Sequence, residues 1–274
     1  DSGSSRGLGD VYKRQQYGMK KYLDETEKEF AKFKKSAQKE VNYLVKEFEC
    51  KKSASAYARA TTSRTGVLDT TKLHTYKYNE DLFKKVSVIP EGKNHGLVFI
   101  LDWSGSMSHV MMDTIKQLYN LMWFCKKVQI PFDVYAFTTS YPKTDRDESG
   151  YAAPLYDAKD NMMVVENQFS LMNLFTSQTR IKELNQQMLN IFRIVGGYRD
   201  YTARDLTPFG LELSGTPLNE TIVALHDLIP QFQAKTKVEK VNCVILTDGE
   251  GYQLSYHRTV NRSLMGESYF GRGN

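Results

Sequence analysis

The chain has 274 residues, 41% hydrophobic and 12% aromatic, enough to bury a sizeable core and to exclude wholesale disorder. No run of about 18 apolar residues occurs, which excludes a membrane-spanning helix, and no charged-then-apolar leader signals secretion. The net charge of +5 belongs to residues 1–96, with 20 basic against 13 acidic side chains, whereas residues 97–274 carry 17 against 19.

Residues 1–15 read DSGSSRGLGDVYKRQ. They are Gly/Ser-rich and lack apolar periodicity, which predicts a flexible leader. Asp10 to Gln15 also resembles the translation of a sequencing-library adapter, which implies a scar in place of the natural N-terminus. Residues 16–96 read as a helical extension and connector. From Tyr17 to Tyr57 the pattern is helical. Phe30, Phe33, Ala37, Val41, Leu44 and Phe48 recur at spacings of 3 and 4 and draw one apolar stripe. Lys and Glu fill the other faces, with opposite-sign pairs such as Glu47 and Lys51. Such a helix gains little stability alone, so it is expected to dock on its own domain. Thr61 to Gly66 breaks it. Short mixed segments follow at 67–73, 76–78 and 82–86, leading to a turn at Pro90-Glu91-Gly92. The basic residues here are interleaved with acids, which predicts a solvated surface rather than a nucleic-acid groove.

Residues 97–274 hold the chemistry. Leu97-Val98-Phe99-Ile100-Leu101 is a continuous apolar run between turn signals, the mark of a strand buried on both faces. It ends in Asp102-Trp103-Ser104-Gly105-Ser106-Met107. A helical pattern from Val110 to Val128 and a strand from Phe132 to Phe137 complete a βαβ unit. Residues 138–161 read as a long polar surface loop, and 162–165 as an edge strand. A helix is predicted from Arg180 to Val195. Another starts at Pro217, a residue suited to a first turn. Val241 to Leu246 reads as a further buried strand ending in Thr247-Asp248-Gly249. The fold class expected is α/β, a doubly wound, mostly parallel sheet. Cys50, Cys125 and Cys243 are odd in number and far apart, and the latter two sit in apolar runs. That pattern fits buried thiols in a reducing, cytoplasmic compartment.

In an open parallel sheet, ligands sit beyond the carboxyl ends of the strands. Asp102 and Asp248 are expected to face one crevice there. Ser104 and Ser106 enter the following helix, and Thr216 sits just before another. Two carboxylates and three hydroxyls are hard oxygen donors, with no Cys or His among them. This set selects Mg²⁺, or Mn²⁺ or Ca²⁺, over zinc. Mostly neutral donors leave the ion's charge uncompensated, so it would attract a carboxylate from outside. Such a site docks a partner rather than catalysing a reaction.

Asp102-x-Ser104-x-Ser106, with Gly105 and Met107, resembles the metal-ion-dependent adhesion site of von Willebrand factor type A (VWA) domains. Gly215-Thr216-Pro217-Leu218 resembles that family's Thr loop, and Leu246-Thr247-Asp248-Gly249 its Asp loop. The resemblance implies that Ser104, Ser106 and Thr216 bind the ion directly, and Asp102 and Asp248 directly or through water. Arg64 to Leu73, followed by Leu101 to Met107, is similar to the VWA subunit of aerobic cobaltochelatase (the CobT type), which has phage-encoded relatives. The Gly-Thr-Pro loop here follows the general VWA pattern instead. The cobaltochelatase likeness implies an AAA+ ATPase as partner, and the charge and hydropathy patterns above predict neither a nucleic acid nor a membrane as a further one. A VWA sheet usually has about two more strands after the Asp248 strand. None is evident in 252–274, so the sheet is expected to be truncated.

Three competing readings remain open. The chain could act directly in metal insertion during cobalamin biosynthesis. It could be a hydrolase, with Ser104 or Ser106 as nucleophile and His109 as base, although no Gly-x-Ser-x-Gly elbow occurs. Its Asp and Ser residues could merely cap helices and shape turns. His-Glu-x-x-His and phosphate-loop motifs are absent. Trp103 is expected either to face solvent or to pack on the neighbouring loop.

Overall fold

The computed structural model describes residues 4–59, 61–75, 77–78, 83–88, 94–139, 159–165, 168–198, 207–208, 210–249, 251 and 253–256. The turn expected at 90–92, most of the loop expected at 138–161 and the segment 257–274 lie outside them.

Helix α1 runs from Ser4 to Arg59, 56 residues. At 1.5 Å per residue it is about 84 Å long. It begins well before the expected start, so residues 4–15, read as a flexible leader, form its first turns. Elongating an existing helix costs far less than nucleating one. Its apolar stripe docks as the spacing predicted, with Phe30, Ala37 and Val41 buried and Phe33 and Val45 packed beside them. Leu44 departs from the expectation. It is 42% exposed, and the neighbouring Val45 packs beside the core instead. After α1 the chain turns into β1 (Thr61–Leu68), which pairs antiparallel with β2 (Phe83–Val88).

The main sheet is open and mixed. It contains β3 (His95–Asp102), β4 (Phe132–Thr139), β6 (Phe169–Thr176) and β7 (Lys240–Leu246), in the order β6-β4-β3-β7. Strands β4 and β7 run parallel to β3, and β6 runs antiparallel to β4. The edge strand was expected at 162–165. Instead Met163–Val164 forms β5, paired with β8 (Ser255–Tyr256) outside the main sheet, and the edge is β6.

Helices cover both faces. Strand side chains alternate between faces with period 2. On one face Phe99, Leu101, Val134 and Ala136 meet α2 (Met111–Lys127) and α3 (Ile181–Gly197). On the other, Val98, Ile100 and Phe137 meet Leu225 and Phe232 of α4 (Leu218–Thr236). Helix α1 lies outside α2 and α3, and its Phe30 touches the rings of Tyr119, Trp123 and Phe192. The N-terminal helix therefore shares one core with the sheet.

Strand β7 differs from the buried strand expected. Its residues are half-buried or exposed, and Cys243 is exposed. Among the described residues its paired neighbour is β3 alone, so one edge lacks cover. Cys125 is buried as expected, and Cys50 is exposed. Among the described residues no helix is long and apolar enough to cross a membrane.

Candidate functional site

The parallel register pairs Leu101 with Leu246, so β3 and β7 end side by side. The next residues, Asp102 and Thr247, meet directly: the Thr247 hydroxyl donates to Asp102 Oδ2 at 2.6 Å. Asp102 is fully buried, and its Oδ1 has no hydrogen-bond partner among the described residues. Burial raises its carboxyl pKa above the ordinary value. The Thr247 and Ser104 hydroxyls oppose the shift and the Asp248 carboxylate adds to it, for a net rise.

Beyond Asp102 the chain bends into a short 3₁₀ turn, Ser106–His109, that leads to α2. The bend presents a row of oxygens. Ser104 Oγ lies 3.0 Å from Ser106 Oγ, and the Ser106 hydroxyl donates to Asp248 Oδ1 at 2.9 Å. Asp102, Ser104, Ser106 and Asp248 thus form one cluster at the carboxyl ends of β3 and β7. Ser104 is buried, whereas Ser106 and Asp248 are exposed, so the cluster opens to solvent on one side.

The loop that carries Thr216 lies against the Ser104 loop through Ser214. Ser214 forms a parallel bridge with Ser104. The Gly105 N–H donates to the Ser214 carbonyl at 2.9 Å, and the Ser214 N–H donates to the Trp103 carbonyl at 3.3 Å. Thr139, at the end of β4, anchors the loop from below. Its Oγ1 lies 2.8 Å from Ser214 Oγ and accepts from the Gly215 N–H at 2.8 Å. Gly215 is required by this close approach, since a Cβ there would lie 2.8 Å from Thr139 Oγ1. Pro217 holds the N-cap position of α4, directly after Thr216.

Sequence reasoning missed the supports of this cluster. Thr247 braces Asp102, and Thr138 and Thr139 brace the two loops, with the Thr138 hydroxyl donating to the Trp103 carbonyl at 3.0 Å. Their one sequence signal is a hydroxyl residue at the end of a strand. Trp103 is fully buried, which decides between its two expected settings.

The donor set is two carboxylates and three hydroxyls. Among the described residues, no three His, Cys, Asp or Glu side chains gather as a metal cage. The hydroxyls would therefore have to supply most of the coordination. Oxygen-only donors fit a hard cation. The buried, unpartnered Asp102 Oδ1 fits one too, because an unmade contact on a buried charge costs several kcal/mol unless something compensates it.

No protein-family model, curated protein or solved structure matches this chain.

Proposed function

We propose that this protein is a divalent-cation-dependent protein-interaction module of the VWA kind. Ser104, Ser106 and Thr216 would hold the ion, with Asp102 and Asp248 balancing its charge. Mg²⁺ is the favoured ion, and Mn²⁺ or Ca²⁺ would share the site. The finer fold assignment is a doubly wound VWA sheet. Supporting it are the flanking helices, the parallel β4-β3-β7 core and the place of the motif loops at the strand ends.

One observation carries the proposal. A fully buried carboxylate keeps one oxygen unpartnered beside a hydroxyl row that opens to solvent. A cation there would neutralise Asp102 and keep spare positive charge. An acidic side chain of a protein partner would supply the last ligand. The partner proposed is an AAA+ ATPase in a cobaltochelatase-like complex, on the strength of the likeness at 64–73 and 101–107.

Two measurements test this. Calorimetric titration of the full chain with Mg²⁺ should give one site, absent in Asp102→Ala. Capture of a co-expressed chelatase-type AAA+ subunit should need Mg²⁺. Capture that persists in excess chelator would refute the docking role.

A further inference from the structure

Trp103 sits inside the loop that carries Ser104 and Ser106, yet its side chain is fully buried. Its Nε1–H has two acceptors, the Leu211 carbonyl at 2.8 Å and Tyr198 Oη at 3.0 Å. The Tyr198 hydroxyl in turn donates to that same Leu211 carbonyl. The two rings meet edge to face, with centroids 6.1 Å apart. Two donors thus grip a single carbonyl on the segment that leads to Thr216.

Tyr198 is the first residue after α3, and α1 holds that end of α3. The Tyr22 hydroxyl donates to the Arg193 carbonyl at 2.6 Å, and Arg193 pairs with Glu27 at 3.1 Å. Gly196 makes room for this approach, since a Cβ there would lie 2.5 Å from Tyr22 Oη. An unbroken chain of contacts therefore runs from α1 through the end of α3 to Tyr198, Trp103 and the Thr216 loop.

We infer that Tyr198 and Trp103 are positioning residues that latch the Thr216 loop against the Asp102 loop, and that the docking of α1 on α3 sets this latch and with it the cation affinity. The inference rests on the cation-site reading above. A loop held in its bound geometry does not have to be ordered when the ion arrives. Groups outside the ligand shell commonly change metal affinity by about 10–100-fold for this reason. Neither tyrosine is among the proposed ligands, so each can be altered without removing a donor.

The test is Mn²⁺ binding to the full chain, read from the free-ion EPR signal. Tyr198→Phe keeps the ring and removes one hydroxyl, and should weaken binding about tenfold. Tyr22→Phe, on the far side of α3, should weaken it about threefold. The double variant should bind no more weakly than Tyr198→Phe alone, because the two act in series and their effects do not add. Thermal midpoints in chelator should stay within about 4 °C of the parent. Parent-like affinity in Tyr198→Phe overturns the latch, and parent-like affinity in Tyr22→Phe overturns the role of α1. A parent chain that binds no Mn²⁺ overturns the cation site itself, a result separate from either.

Discussion

Thr247 donates its hydroxyl to Asp102 Oδ2 at 2.6 Å, joining the residue that follows β7 to the last residue of the parallel strand β3. The bond fixes the rotamer of a fully buried carboxylate and satisfies one of its oxygens. The other oxygen is buried and has no hydrogen-bond partner among the described residues. A strand-end hydroxyl thereby orients a strand-end acid.

Asp102→Asn should separate charge from shape. The amide oxygen can still accept from Thr247, so the fold should survive. In chelator the thermal midpoint should change by no more than about 4 °C, the equivalent of about 1 kcal/mol. Burial already disfavours the ionised carboxyl, so removing the charge relieves part of that cost. Mg²⁺ binding should fall at least about 100-fold, since a ligand matters more than its support. Calorimetry with and without chelator reads both effects.

Docking of α1 should depend on its rings rather than its charges. Phe30 is 6% exposed and touches Tyr119, Trp123 and Phe192. Phe30→Ala should cost about 3–5 kcal/mol in urea unfolding. Glu29, which pairs with Lys116 at 3.4 Å, is largely exposed, and Glu29→Gln should cost less than about 1 kcal/mol. Equal losses in the two variants would contradict this ordering.

Legibility followed the range of the interactions. Leu97 to Leu101 announced β3 because burial on both faces demands an unbroken apolar run. The motif residues were legible because each loop directly follows a strand or precedes a helix, so local spacing encodes its place. Strand β6 was not, because Phe169–Thr176 mixes Leu, Met and Asn at an edge without clean alternation. Leu44 fitted a helical spacing but lost its place to the adjacent Val45. Trp103 could not be placed from sequence, since its burial depends on Tyr198 and Leu211, about a hundred residues away. Thr247 escaped notice because only the β3–β7 register reveals that it meets Asp102.

The three thiols should separate by burial. Cys50 and Cys243 are exposed, and Cys125 lies inside α2 against the core. Burial pushes the Cys125 thiol up to about 12, and the partial desolvation of the otherwise exposed Cys243 raises its thiol too. At pH 8, a disulfide reagent should label Cys50 first, Cys243 more slowly, and Cys125 only after unfolding. The pH dependence follows from the same shift. Above the ordinary thiol value of 9.0, the unfolded chain releases this proton while the folded chain keeps it. Stability should therefore fall as pH rises from 9 toward 12, and Cys125→Ala should lessen the fall. The Tyr119 and Tyr198 hydroxyls, also raised by burial, should account for part of what remains. Urea midpoints at pH 8 and pH 10 test the sign, and a rise between them would contradict it.

Gly215→Ala should damage the site while sparing the rest of the fold. The added methyl would stand 2.8 Å from Thr139 Oγ1 and 3.2 Å from its Cγ2. Thr139 cannot turn away freely, because its Oγ1 accepts from the Gly215 N–H and contacts the Ser214 hydroxyl. The loop must therefore lift, and it carries Thr216 with it. Overpacking of this kind costs about 1–3 kcal/mol. The β3–β4 and β3–β7 pairings lie below the loop and should persist. Mg²⁺ affinity should drop about tenfold or more, with far-ultraviolet circular dichroism unchanged. Shortening the obstacle with Thr139→Ser in the same chain removes the 3.2 Å methyl contact and should recover part of the affinity. No recovery, together with an undisturbed fold, would mean that Thr139 does not set the height of the loop.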